Sequence, residues 1–219
     1  MYLPNLPGKS AQLKMAPEHR IPTFMAEKEI PPIDAVESAV LVLLFPGKRD
    51  RSISEDHILL DWQLLLIERS QYDGIHSGEI SFPGGKCEPE DENYIATACR
   101  EAQEEIALKI DHITIFGQMT PLYVPPSNHI IYPVLACACT EPELIPRNRE
   151  VQSYKKIPLR YFDPACSVQS SIETKNGMLV KAPAYIYENY TIWGATAMII
   201  AELYQLVLDA RLITSFMRP

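Results

Sequence analysis

Basic residues are scarce in this chain: 20 Lys and Arg stand against 28 Asp and Glu, a formal net charge of -8. A field of that sign repels nucleic-acid backbones and anionic membrane surfaces, which argues against a dedicated DNA or RNA binder. An anionic small molecule would need a cation to hold it. Cysteine is also short. The five present form an odd set with no C-x-x-C pair, so a disulfide scaffold is not expected. Long apolar runs are missing. Even the run at residues 39–46 falls far below the roughly 20 residues of a membrane-spanning helix. The start, Met1-Tyr2-Leu3-Pro4, has no basic patch ahead of an apolar stretch, so no secretory signal is expected. The end, Ser215-Phe216-Met217-Arg218-Pro219, is no peroxisomal address. A reducing cytoplasm is the expected compartment. Internal repeats and low-complexity tracts are absent as well.

What is present suffices for one globular domain with short extensions. Hydrophobic residues make up 47% of the 219, enough buried surface to offset the ordering entropy of a folded chain. Residues 1–35 carry Pro4, Pro7, Pro17, Pro22, Pro31 and Pro32, which permits at most a short helix over 10–15 with extended segments on either side. This stretch reads as an arm that packs on the domain or on a partner chain, with the domain proper over 36–219. The apolar, partly β-branched run 39–45 predicts a strand buried on both faces. Further strands are expected at 62–68, 113–119, 130–139, 168–173 and 178–187, and helices at 93–108 and 193–213. Strands around one mid-chain and one C-terminal helix predict an α+β fold, a mixed sheet flanked by helices in an α/β/α sandwich. The apolar last helix reads as core or as a dimer contact, so a homodimer is compatible with the sequence.

Chemistry concentrates between Ser81-Phe82-Pro83-Gly84-Gly85-Lys86 and Arg100-Glu101-Ala102-Gln103-Glu104-Glu105. At about 100° per residue, Ile95, Ala98, Cys99, Ala102 and Ile106 share an inward stripe, while Glu101, Glu104 and Glu105 crowd another arc. Like charges at i,i+3 and i,i+4 are mutually unfavourable. Such a cluster is either a solvated face or a set of oxygen ligands for a cation of the Mg²⁺ kind. The glycines ahead of it allow close backbone approach to a ligand, and a helix start tolerates phosphate.

The whole segment resembles the Nudix signature, G-x5-E-x7-R-E-U-x-E-E-x-G-U, where U is aliphatic. Counting from Gly85, Asp91 takes the first acidic place, and Arg100, Glu101, Ala102, Glu104, Glu105 and Leu108 meet the later ones. Asp stands for Glu, eight residues instead of seven precede Arg100, and Ala107 replaces the usual glycine. Upstream, the chain resembles the pattern of Nudix hydrolases acting on coenzyme A, L-L-T-x-R-S-x3-R-x3-G-x-V-x-F-P-G-G. Arg69, Ser70, Gly78, Phe82, Pro83, Gly84 and Gly85 match; Ile67 replaces Thr, Ile80 replaces Val, and Gly74 takes the second Arg position. Similarity continues in 121–127, 149–151 and 193–196 and spans about residues 36–213.

The resemblance implies hydrolysis of a diphosphate bond with Mg²⁺ or Mn²⁺. The implied substrate is a nucleoside diphosphate-linked small molecule, foremost coenzyme A or an acyl derivative cut to 3′,5′-ADP and 4′-phosphopantetheine. ADP-ribose or NADH is the alternative within the same chemistry, and a ligand-sensing module without catalysis is the alternative outside it. Glu101 and Glu105 are the expected metal ligands, joined by the Gly85 carbonyl and by Glu104, which ligates or takes the proton of water. The family implies that Arg100 holds a carboxylate in place; Asp91 is either its partner or a plain loop residue. Glu150 is either a general base outside the signature or an exposed loop side chain. Arg69 and Lys86 are phosphate contacts or surface cations, Gly84 lines the substrate site, and Tyr123 stacks on adenine or simply packs. The histidines show no zinc-ligand spacing, and neither nucleic acid nor membrane is expected as a partner.

Overall fold

A computed structural model describes residues 3, 5–25, 30–47, 59–70, 79–147, 150–174 and 177–209. In chain order its elements are α1 (Lys9–Gln12), α2 (Ile21–Met25), β1 (Val36–Phe45), β2 (Gln63–Arg69), β3 (Ile80–Ser81), β4 (Gly84–Lys86), α3 (Tyr94–Ile106), β5 (Ile113–Gln118), β6 (Leu122–Val124), β7 (His129–Ala138), β8 (Val151–Pro158), β9 (Val168–Glu173), β10 (Leu179–Tyr187), β11 (Tyr190–Ile192) and α4 (Gly194–Leu208). They fall into two compact units. One draws on Met1–Pro4, Glu29–Pro46 and Gln63–Ile157, the other on Asn5–Lys28, Gly47–Trp62 and Pro158–Pro219.

The first unit is built on a mixed sheet in the order β3-β2-β1-β7-β5, with β4 on β1, β6 on β7 and β8 on β2. β1 and β7 run parallel from Val36↔His129 to Leu44↔Cys137, whereas β2 and β4 are antiparallel to β1. The apolar run at 39–45 therefore lies in the middle of the sheet, where both faces are covered. Alternation along β1 sends Ala39, Leu41, Leu43 and Phe45 to one side, where they pack with Leu65, Ile67 and the α3 residues Ala98, Ala102 and Ile106. This places α3 against the strand that holds β4 in register. The expected stripe of α3 is buried, with Ile95 partly so.

Both ends of α3 are set by single residues. Asn93 caps the start: its Oδ1 accepts from the N–H groups of Ile95 (2.9 Å) and Ala96 (3.1 Å). Ala107 ends it in the left-handed region at φ 55°. That is the conformation for which the family's usual glycine is suited and which costs an L-residue about 1–2 kcal/mol.

In the second unit α4 packs with α1, and β9, β10 and β11 form an antiparallel sheet. α4 is buried over most of its length, the burial of a core helix. Gln12 Nε2 donates to Glu202 Oε2 at 2.9 Å, both residues being 0% exposed. Lys14 Nζ donates to Gln205 Oε1, and the Arg20 guanidinium lies over the Phe24 ring. The arm residues of this unit thus pack on α4 of their own chain.

Several local expectations need correction. The proline-rich arm holds a second short helix, α2, because Pro22 sits in its first turn, where a missing N–H costs nothing. The short strands β3, β4, β6 and β11 and the longer β8 are not among the expected strands; β3 and β4 fall in or beside the glycine-rich stretch, β6 lies between proline residues and β8 alternates polar and apolar weakly. The last helix is described to Leu208, and residues 210–213 lie outside the described residues. No helix among the described residues is long and apolar enough to cross a membrane.

Replacing Asn93 by Ala removes the acceptor for two amides. The expected loss is about 1 kcal/mol, measured as a lower denaturant midpoint at unchanged slope.

Candidate active site

Four elements meet at the site: β4 with the loop after it, the glutamate-bearing side of α3, the end of β2, and the start of β8. Gly84 is where the backbone is tightest. Its φ of 153° is one that a side chain resists, and a Cβ there would collide with the Ala39 carbonyl and lie 2.7 Å from Val40 Cα. The strand can thus lie flat on β1, and the Gly84 N–H is turned to donate to Glu105 Oε2 at 3.0 Å. At Gly85 the missing Cβ makes room for a ligand group: its place is taken by the Glu101 carboxylate.

Arg100 organises the other side. Its Nε and Nη2 donate to Asp91 Oδ1 and Oδ2, both at 3.0 Å. Nη2 also donates to the Lys86 carbonyl (3.0 Å) and Nη1 to Glu101 Oε1 (3.0 Å). Glu104 lies 3.6 Å from the same Nη1 and Glu88 3.8 Å. Asp91 Oδ2 further accepts from the Glu88 N–H and from Thr97 Oγ1. These bonds, the Arg100 fork first, hold the Asp91 carboxyl well below the usual carboxylate range. The extra residue in the loop leaves this fork intact: Asp91 has the shorter side chain, and the added residue carries it to Arg100.

The glutamates differ sharply. Glu105 is 1% exposed, and burial pushes its carboxyl up to about 7, against the opposing pull of the Gly84 N–H and Arg69 and with the further push of Glu101 and Glu150. Burial also raises the Glu101 carboxyl, with Arg100 pulling the other way. The Glu104 side chain is 57% exposed. Arg69, at the end of β2, reaches Glu150 Oε2 at 3.6 Å with Nη2, and the Ser70 N–H donates to the Glu150 carbonyl at 2.7 Å. Arg69 and Glu150 therefore belong to the surroundings of Glu105. Lys86 contributes its carbonyl to Arg100. Tyr123 stands in β6 opposite Ile130, and its hydroxyl donates to Asn128 Oδ1, a contact of the adjoining turn and not of the carboxylate cluster. Gly74 and Gly78 lie outside the described residues.

Residues 39–170 match the NUDIX domain family. The chain is a member of the Nudix family. The "Uncharacterized Nudix hydrolase NudL" of Yersinia pestis (strain Pestoides F) is 33% identical over 144 residues, 66% of this chain and 72% of that protein. NudL of Yersinia pseudotuberculosis serotype O:1b (strain IP 31758) is likewise 33% identical over 144 residues. Among solved structures, the Nudix hydrolase RenU of M. smegmatis aligns with a TM-score of 0.50 at 14% identity, over 84% of this chain and 89% of that one; this likeness bears on the fold alone. The protein is a pyrophosphatase-type Nudix hydrolase, of a family acting on nucleoside diphosphate-linked small molecules and generally using divalent metals.

The Nudix box fits such a metal. Glu101 fills the cradle at Gly85, Glu105 is a desolvated carboxylate whose charge a cation would stabilise, and every donor is oxygen, as Mg²⁺ and Mn²⁺ require. Among the described residues no three His, Cys, Asp or Glu side chains already converge on a single point. Glu101 and Glu105 with the Gly85 carbonyl and waters form the donor set that fits. Thr97 and Glu88 were not singled out by their place in the sequence. The signal for Thr97 is a hydroxyl in the apolar stripe of an amphipathic helix, which calls for a polar partner once buried.

The contacts at the two glycines set apart two substitutions. Gly85→Ala drives its Cβ into a flexible carboxylate, so the melting temperature stays near wild type while turnover falls about 10²-fold from the displaced Glu101. Gly84→Ala meets backbone instead and lowers the melting temperature itself. Glu105→Gln, in chelator, stabilises the protein. The folded value of about 7 lies above the ordinary 4.5, so wild-type stability falls as pH rises between the two. The gain from Gln is full at pH 8 and shrinks toward zero below pH 4.5, as read from melts across that range.

Proposed function

We infer that this Nudix hydrolase cleaves the diphosphate of coenzyme A or an acyl-coenzyme A to 3′,5′-ADP and 4′-phosphopantetheine. The observation that carries the reading is the buried Glu105, bonded by the Gly84 amide and neighboured by Arg69 and Glu150. Arg69, Gly84 and Gly85 come from the stretch that resembles the coenzyme A branch upstream of the box, and Arg69 is the cation that this stretch brings to Glu105.

In this reading Glu101, Glu105 and the Gly85 carbonyl hold Mg²⁺ or Mn²⁺, with Glu104 as a further ligand or proton acceptor. The ion supplies neutralisation of the diphosphate and a lowered pKa of bound water. The chain's own groups do the rest. Arg100 keeps the loop from Lys86 to Asp91 and the Glu101 carboxylate in position, which makes it and Asp91 positioning residues. Arg69 meets a phosphate through charge-assisted hydrogen bonds, and Lys86 adds a second cation at the end of β4. Glu150, with its side chain 63% exposed, can accept the proton of the attacking water and pass it to solvent. Tyr123 is the aromatic offered for stacking on the adenine, with its hydroxyl held by Asn128. Residues 36–219 are the hydrolase domain in this reading, residues 1–35 its arm, and the compartment a reducing cytoplasm, in keeping with five free thiols.

A second reading, hydrolysis of ADP-ribose or NADH, is favoured by one residue: Gly74 stands where the coenzyme A pattern has an Arg. A single experiment separates the two. The protein is incubated with Mg²⁺ and equal amounts of coenzyme A, ADP-ribose, NADH and a nucleoside triphosphate, and the products are resolved. Coenzyme A is expected to turn over fastest, yielding 3′,5′-ADP. Faster cleavage of ADP-ribose or NADH would replace the substrate assignment while leaving the diphosphatase chemistry in place.

A further inference from the structure

Two polar atoms of β2 and β3 are buried without a hydrogen-bond partner: Arg69 Nε and Ser81 Oγ. Ser81 lies in β3 directly opposite Ile67 of β2, and Ile67 belongs to the core under α3. Register partners in an antiparallel pair project to the same face, so Ser81 faces the α3 side. Arg69 is two residues further along β2 and projects to that side as well, with its N–H bonded to the Glu79 carbonyl at 3.0 Å. Ser81 and Arg69 are therefore diagonal neighbours, within reach of each other through the long Arg side chain. The far end of Arg69 is held by Glu150 through Nη2, while Nε is buried and unpaired on the same sheet face as the hydroxyl.

Protein interiors rarely leave such groups unpaired, because desolvating a donor without a new partner is costly. A hydroxyl and a guanidinium N–H at diagonal positions of one sheet face are two donors that a single acceptor could pair. Two donors, one of them cationic, suit an oxygen of an anion. The nearest carboxylate, Glu105, is already bonded by Gly84 and desolvated, so it cannot also host a phosphate without the cation described above. An acceptor oxygen for both donors would have to arrive with the substrate.

We propose that Ser81 is a substrate-binding residue of this site, its hydroxyl and Arg69 Nε together taking one non-bridging oxygen of the phosphate beside the bond that is cut. The inference rests on the reading of Glu101 and Glu105 as the carboxylates of a diphosphate hydrolase and adds a residue that the Nudix signature does not include. Glu150 gains a second role by the same geometry, since its carboxylate orients Arg69 so that Nε, and not only the Nη end, meets the ligand.

Ser81→Ala, Arg69→Lys and the double variant are compared with wild type for binding of α,β-methylene-ADP in Mg²⁺ by calorimetry. Hydrolysis of the fastest substrate among coenzyme A, ADP-ribose, NADH and the nucleoside triphosphate is followed in parallel, as is melting without ligand. Ser81→Ala is expected to weaken binding of the probe and to lower kcat/KM, each about tenfold. Arg69→Lys keeps the charge but lacks Nε–H, and the double variant loses less than the product of the two single effects, since both donors share one oxygen. The ligand-free melting temperature of Ser81→Ala stays the same or rises, because an unpaired hydroxyl has been replaced by a methyl. A merely structural hydroxyl gives the opposite, a lower melting temperature with unchanged probe affinity, and that result overturns the proposal. So does strict multiplicativity in the double variant. If wild type cleaves a substrate and Glu105→Gln abolishes the cleavage while Ser81→Ala matches wild type, only the role of Ser81 falls. If wild type neither binds the probe nor cleaves any of the four substrates, the reading beneath it falls too.

Discussion

A carboxylate taken out of water has to be stabilised by something, and in this protein that requirement falls on Glu105. Its charge is disfavoured by burial and met by one amide of a glycine whose backbone few other residues could adopt. The amide points that way because β4 lies flat on β1, and β1 is held in place by its parallel pairing with β7. A sheet register at the centre of the unit thus decides where a single negative charge sits. The carboxylate remains poorly solvated, with Arg69 as the cation that offsets part of its cost. Such a group gains most from a divalent ion, and the Glu101 carboxylate packed against Gly85 is the second oxygen donor at hand.

Arg100 shows how the neighbouring acids are kept from repelling one another. Glu88, Asp91, Glu101 and Glu104 all lie within ion-pair distance of one guanidinium. The bidentate bond to Asp91 is the strongest anchor, since the planar fork matches a carboxylate and Thr97 and the Glu88 amide support it from behind. Pulling the loop onto the helix in this way ties the Lys86 carbonyl and the Glu101 carboxylate to one side chain. The three departures from the family signature are absorbed locally. The shorter acid and the longer loop offset each other, and the strained Ala107 lies past the last glutamate.

Much of this was legible in the residues. The apolar run of β1, the amphipathic stripe of α3 and the spacing of Arg100, Glu101, Glu104 and Glu105 are local patterns, and local patterns survive in a linear reading. The partner of Arg100 was open in the sequence, because Asp91 sits in a loop whose path no periodicity describes. Glu105 looked like the other glutamates of its arc, yet it is buried while Glu104 is exposed. The difference arises from what packs against each side of the helix, and neighbouring strands far apart in sequence decide that.

The one-dimensional chain by itself determined the family, the elements around the box and the inventory of charged groups, since these depend on spacing along a helix and on which side chains are present. Tertiary structure alone decided that Arg69 and Glu150, 81 positions apart, come together near Glu105, that Ser81 faces the same side, and that the arm packs on α4. The physical reason is the same in each case. Desolvation and pairing are properties of what surrounds a group in space, and the surroundings exist only once the sheet has closed its register.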